Sequence, residues 1–205
     1  MLTIWGRVNS VNVKKALWAA EELGLQYERI DAGLQFGVNK TPDYLAMNPT
    51  GLVPTIRDDG FVLWESHAIV RYLCAKHGMG ILCPADLQAR ADAERWMDWA
   101  FSLQSGVRDA FWNLIRTPPE KRDMDAVAAS RKKSAELLAI LEKVLSKKPY
   151  VAGEGFTMGD IPVGCEVQRW IRLPGERPAL PAVEAWFARL LERPAFRKTV
   201  DLPLS

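Results

Sequence analysis
The 205-residue sequence predicts two units, an α/β domain followed by an all-helical one. Three observations lead there. Strand and helix patterns run β-α-β-α-β-β-α as far as His77. Composition then shifts at Gly78-Met79-Gly80 and Pro84. After Ala85 no segment reads as a strand, and helical periods follow one another. The boundaries drawn are 1–78, a linker at 79–86, and 87–205.

The elements follow in order. Leu2–Trp5 is a short apolar run, read as a buried strand. Val13, Ala16, Leu17 and Ala20 recur at three- and four-residue spacing, one face of a helix from Val11. Gly24 suits the left-handed position that ends it, and Leu25 can pack back on the last turn. Tyr27–Ile30 is the next strand, and strand, helix and strand this close favour a parallel pair with a right-handed crossover. Asp31–Lys40 reads as a loop. Thr41 and Pro42 open a short helix as N-cap and first residue. Val53–Ile56 is a strand entered through Pro54, Asp58-Asp59-Gly60 a hairpin signal, and Phe61–Trp64 the returning strand. Ser66–Lys76 is helical, with Ser66 as its expected N-cap. Beyond the linker, Gln88–Ile115 reads as one long helix that bends or breaks near Gly106. Helices follow at Asp123–Leu145, Met158–Trp170 and Pro181–Leu191, with a short one from Pro194.

Composition excludes several classes. With 48% hydrophobic and 25% charged residues, the chain has material for a core without staples. Net charge is +2, and residues 1–78 carry eight basic and eight acidic side chains, so no electrostatic footprint for nucleic acid exists. Cys74, Cys83 and Cys165 form no C-x-x-C pair and no zinc spacing, and so sparse a set suits a reducing compartment. No signal peptide or membrane-length apolar run is visible, so a soluble cytoplasmic protein is expected. His67 and His77 lie on different faces of one helix, which yields neither a metal site nor a histidine-based triad.

Four short stretches bear on chemistry. Ser10 stands at a strand-to-helix junction, where it fits an N-cap or a hydroxyl aimed at an anion. Pro54 cannot donate to a ladder, so an extended peptide could pair with the free N–H and C=O of Val53; spacing alone favours an edge strand without ligand. Glu65-Ser66 at a helix start suits capping, or else the ammonium and carboxylate of an amino-acid head group. Lys40 is a lone loop cation able to face a second carboxylate. In the helical half, Phe156-Thr157-Met158-Gly159-Asp160-Ile161 reads as a capping box with a hydrophobic staple, a folding signal. Pro162 just beyond it would cost a helix hydrogen bond.

Taken in register, Ser10–Lys15, Asn39-Lys40-Thr41-Pro42, Asn48–Pro54, Glu65–Ile69 and the Phe156–Ile161 box resemble the glutathione S-transferase family, nearest its serine-type bacterial, theta-like and phi-like members. The likeness spans the chain. It implies a thioredoxin-like N-terminal domain, an all-helical C-terminal domain and a homodimer, with glutathione as co-substrate and no metal. Carried over by position, Glu65 and Ser66 would hold the γ-glutamyl end. Val53, before a cis Pro54, would pair with the cysteinyl backbone, Leu52 would line the same strip, and Lys40 would meet the glycine carboxylate. Asn39 stands where related members often have histidine. No tyrosine precedes Tyr27 and no cysteine precedes Cys74, so the tyrosine- and cysteine-type activators are absent. Ser10, or Asn12 two residues on, would then donate to the thiol and favour its thiolate. That thiolate would attack an apolar electrophile, for which Phe111, Trp112 and Trp170 with Val8 and Phe36 are the candidate pocket; ordinary core packing is the favoured reading of each aromatic taken alone. A glutathione-dependent disulfide or peroxide reductase, and a non-catalytic glutathione-binding module, are the alternative readings.

Overall fold
The computed structural model describes residues 1–205. β1 (Leu2–Trp5), α1 (Val11–Glu22) and β2 (Tyr27–Ile30) form the expected crossover, with β1 and β2 parallel from Leu2↔Tyr27 to Trp5↔Ile30. After α2 (Pro42–Met47), strands β3 (Thr55–Asp58) and β4 (Phe61–Trp64) add antiparallel to give the order β2-β1-β3-β4, and α3 (Ser66–His77) closes the domain. Alternation along the strands sorts the layers. Leu2, Ile4 and Ile56 meet Val13, Ala16, Leu17, Ile69 and Leu73 of α1 and α3, whereas Trp5 meets Ala32 and Tyr44 on the α2 side. A four-stranded mixed sheet is thus covered on both faces.

Local chemistry sets the ends of the elements. Gly24 has φ +64°; its N–H reaches Glu21 and that of Leu25 reaches Ala20, the paired bonds that close a helix through a left-handed residue. Asp59 and Gly60 both take positive φ, which matches the twist of a two-residue hairpin. Residues 31–40, read as a loop, contain two 3₁₀ turns, Leu34–Phe36 and Val38–Lys40.

The helical domain comprises α4 (Leu87–Phe111), a π turn at Trp112–Arg116, α5 (Met124–Leu145), α6 (Asp160–Arg172), α7 (Pro181–Leu191) and α8 (Pro194–Thr199). Helix α4 passes through Gly106 unbroken, against expectation. A Cβ there would come within 3.2 Å of Ser134 Oγ and 3.1 Å of Leu137, so this glycine serves the close approach of α5 rather than a bend. The Thr157–Asp160 bonds form, with Asp160 accepting from the Thr157 N–H (3.0 Å) and Thr157 Oγ1 from the Gly159 N–H (3.2 Å), but the N-cap of α6 is Gly159 rather than the expected Thr157. Helical residues begin only at Asp160, so Pro162 falls in the first turn, where its missing N–H is no loss. Asp160 also accepts from Trp186 Nε1 and the Val151 N–H, while complete burial pushes its carboxyl up to about 6.

The two domains share one core. Trp18 of α1 is fully buried against Phe156 and Phe196, and Val70 and Cys74 of α3 join the same cluster. Arg193 grips Glu22 through two bonds of 2.7 Å, and Lys14 donates to the Val200 carbonyl. The cleft between the domains therefore has walls that are fixed relative to each other. No helix is long and apolar enough to cross a membrane.

Candidate functional site
Two helix N-termini that lack a side-chain cap open on the cleft, a lack they share with α6, α7 and α8. Away from it, Thr41 caps α2, Asp86 caps α4 and Asp123 caps α5, each through its side chain. At the cleft, Ser10 occupies the N-cap of α1, and its carbonyl accepts from Lys14, yet its side chain makes no capping bond. Ser66, expected to cap α3, is instead its first helical residue; Glu65 takes the N-cap position, also without a side-chain cap. Both serines are buried and both line the cleft. Two hydroxyls and two positive helix ends are thus left for a ligand.

Between them runs the strip that leads into β3. The Val53-Pro54 bond is cis, and neither the N–H nor the C=O of Val53 has a backbone partner. The strip is held from behind. Asn48 Nδ2 donates to the Leu52 carbonyl (3.0 Å) and to Thr55 Oγ1 (2.9 Å), and the Tyr44 hydroxyl bonds the same two groups. Thr50 donates to Asn48 Oδ1 and accepts from the Leu52 N–H. Asn39, standing in place of a family histidine, is buried and donates to the Gly51 carbonyl (2.6 Å), so it ties the turn rather than facing the cleft. Lys40 is exposed, and its ammonium lies against Gly51 at the end of the strip. Asn48, Thr50, Leu52, Val53, Pro54, Glu65, Ser66 and Asn12 together line one small depression.

Glu65 departs from ordinary backbone geometry. Its φ of +71° and ψ of 113° lie where side chains other than glycine are strained. Such strain persists where surrounding structure imposes it, and the exposed Glu65 lines the depression beside Ser66.

Asn12 joins this depression to a second, larger cavity of about 570 Å³ between the domains. Its Oδ1 accepts from Lys15 Nζ (3.0 Å) and from Gln104 Nε2 of α4 (3.1 Å). With the oxygen held by two donors, the Asn12 amide is turned so that its N–H groups are the ones left over. Lys15 is itself wholly buried. Its ammonium bonds Asn12 Oδ1 and His67 Nε2 (3.2 Å) and forms an ion pair with Glu166 Oε1 (3.2 Å) of α6. Facing an ammonium, His67 must present a lone pair, so it is neutral with its proton on Nδ1.

Burial, then the charges of Lys15 and Arg71, push His67 down to about 2. The unfolded chain therefore takes up a proton on this residue below about pH 6.5 that the folded chain refuses. Stability present above that pH is lost as pH falls, by up to about 1.4 kcal/mol per pH unit. Urea unfolding at pH 7 and at pH 5 should show a smaller acid loss for His67→Gln than for the parent. Equal losses would rule His67 out as the source.

The larger cavity is lined by Ser10, Asn12, Leu52, Phe101, Phe111 and Trp112, and by four arginines, Arg7, Arg108, Arg116 and Arg169. Of the five residues expected to hold the electrophile, Phe111 and Trp112 are in place. Trp170 does not line the cavity; it packs in the helical core. Val8 and Phe36 are exposed outside the cavity, Val8 in the turn before α1 and Phe36 in a 3₁₀ turn. The apolar pocket expected from sequence is instead a mixed one, aromatic and strongly cationic.

Residues 1–75 match the family model described as the glutathione S-transferase N-terminal domain, and 96–194 match its C-terminal domain. The chain belongs to the glutathione S-transferase family. Among curated relatives, glutathione S-transferase GstB of Escherichia coli strain K12 is 46% identical over the whole of both chains. A probable glutathione S-transferase, GSTF2 of Oryza sativa, is 30% identical, covering 98% of this chain and 96% of the rice protein. Among solved structures, a theta-class glutathione S-transferase from Xanthomonas axonopodis pv. citri with glutathione bound superposes at TM-score 0.96. It is 49% identical, with 100% of this chain and 99% of that one covered. The thioredoxin-like N-terminal domain and helical C-terminal domain of the glutathione S-transferases are thereby established for this chain.

Sequence reading missed the supports of the site. Asn48 and Tyr44 hold the strip, Lys15 and Gln104 hold Asn12, and the arginines line the cavity. Lys15 left one legible sign: it lies four residues after Val11 and three before Trp18, on the buried face of α1.

Proposed function
We propose that the chain is a glutathione transferase. The tripeptide would lie along the strip, its γ-glutamyl ammonium on Glu65 and carboxylate on the Ser66 hydroxyl and the α3 N-terminus. The cysteinyl backbone would pair with Val53, beside Leu52 and Pro54, and the glycine carboxylate would meet Lys40. This places the thiol beside Ser10 and Asn12, whose O–H and N–H donate to the sulfur and favour the thiolate, which then attacks an electrophilic carbon. What carries the reading is the strip between two helix ends: Ser10 and Ser66 head the two helices at the cleft and cap neither, and the N–H and C=O of Val53 beside cis Pro54 have no backbone partner. The protein is read as a cytoplasmic homodimer, in keeping with its family and with three free, buried cysteines.

Calorimetry with glutathione tests this through Glu65. The parent should bind at millimolar concentration or below, and Glu65→Ala should bind about tenfold or more weakly, as a lost charge-assisted contact of about 1.5–3 kcal/mol requires. Glu65→Gly should lose affinity in the same way yet unfold with about 1 kcal/mol more stability than Glu65→Ala, because glycine relieves the positive φ. Absence of binding in the parent would remove the basis of the reading.

A further inference from the structure
The cavity beside Ser10 and Asn12 carries more positive charge than its surroundings explain. Four of its thirteen lining residues are arginines and none is acidic, in a chain whose net charge is only +2. The carboxylate nearest Arg169 is Glu166 at 3.8 Å, and Glu166 lies closer, at 3.2 Å, to Lys15. Arg7 Nε is buried with no hydrogen-bond partner at all. Arg116 donates to the terminal main-chain oxygen of Ser205, and its guanidinium lies over the rings of Phe111 (5.0 Å) and Trp112 (4.7 Å); Arg169 lies 4.0 Å over Phe111. Burial, then Arg116 and Arg169, lower the pKa of Arg7; burial, then Arg169, lower that of Arg116. The three guanidiniums repel one another, and no side-chain carboxylate lies nearer to them than Glu166 at 3.8 Å from Arg169. A purely apolar guest would desolvate them further and pair none, whereas an anion would relieve the repulsion and satisfy buried donors.

We infer that this cavity takes an anionic aromatic electrophile, whose carboxylate or sulfonate is held by Arg7 and Arg116 and whose ring lies against Phe111 and Trp112. The inference rests on the glutathione reading above and names the substrate class of that site. In the step, the thiol proton leaves to solvent and the thiolate forms a C–S bond at the ring carbon beside Ser10 and Asn12. The carbon–halogen bond breaks, and halide departs with the bonding pair. The acid group is unchanged and nothing is oxidised or reduced.

A matched pair of substrates decides it: one chlorodinitrobenzene bearing a carboxylate, and the same compound bearing a carboxamide. Each kcat/KM, measured on the full chain with saturating glutathione, is divided by the uncatalysed rate constant with glutathione to remove differences in ring reactivity. The benzoate should exceed the benzamide by about tenfold, equivalent to about 1.4 kcal/mol. Arg7→Gln and Arg116→Gln should each bring that ratio toward one. Arg95→Gln, an exposed arginine paired with Asp92 outside the cavity, should leave the ratio as it is. A ratio at or below one in the parent overturns the inference, as does a ratio unmoved in both variants. Turnover of the benzamide alone overturns the anion pocket and leaves the transferase reading standing. Turnover of neither compound by a chain that binds glutathione also overturns it, and failure to bind glutathione sinks the proposed function itself.

Discussion
Replacing Ser10 and Asn12 together by alanine is expected to raise the pKa of bound glutathione by about two units. A free thiol ionises near 8.5, and lowering that by two units needs about 2.7 kcal/mol of differential stabilisation. One hydrogen bond to a charged group supplies about 1.5–3 kcal/mol, so two donors and the positive end of α1 are enough. Each single variant should move the pKa by about one unit. The rate at one pH is the wrong readout. At pH 7 the ionised fraction would fall from about three quarters to about 3%, roughly 25-fold, but the more basic thiolate is roughly eightfold more reactive. The two effects leave a loss of only about threefold. The ionisation limb, followed by thiolate absorbance or by the pH profile of conjugation, moves by the full shift. An unmoved limb in the double variant would mean that the thiol is activated by something other than these two side chains.

The two donors are built differently. The Ser10 hydroxyl makes no cap bond and turns about one torsion. The Asn12 amide is clamped through its oxygen by Lys15 from its own helix and by Gln104 from α4. A donor that is already oriented needs no reorganisation when charge appears on sulfur, so its contribution depends on what clamps it. Domain packing thereby enters the chemistry, because Gln104 reaches Asn12 only when the helical domain is docked.

Elements governed by local rules were legible in the sequence. Gly24, Thr41-Pro42 and Asp58-Asp59-Gly60 act through residues within a few positions, and each forms as its spacing predicts, while the Thr157–Asp160 bonds form with the N-cap moved two residues on, to Gly159. What local rules mislead about are residues whose partners lie far along the chain. Gly106 looked like a helix breaker because nothing nearby in sequence announces α5, 28 residues away at Ser134, whose hydroxyl would meet its Cβ. Ser66 looked like a cap because serine usually is one before a helix, yet the backbone turns one residue earlier, at Glu65. Trp170 fits a pocket or the core by composition, and the packing of α6 decides for the core. The arginines of the cavity come from the loop after β1, from α4 and its π turn, and from α6, and no single stretch of sequence holds them together.

Lys15→Met is expected to destabilise the chain by about 3–5 kcal/mol, the largest stability effect at a position that touches no ligand. The side chain it removes is fully buried, and so is its partner Glu166. Neither Glu166 oxygen makes an aligned hydrogen bond, so Lys15 at 3.2 Å and Arg169 at 3.8 Å are what keep that charge tolerable. Removing the ammonium strands a carboxylate, and methionine fills the volume without supplying charge. Glu166→Gln should likewise destabilise, and the double variant should lose clearly less than the two singles added, since neither charge then lacks a partner. Additive losses in urea unfolding would mean that the two residues act separately. A second readout separates orientation from packing. Lys15→Met keeps Asn12 but releases one of the two donors on its oxygen, so the thiol ionisation limb should rise, by less than the roughly one unit expected for Asn12→Ala. If the limb stays in place while stability falls, Lys15 holds the domains together and has no part in aiming Asn12 at the thiol.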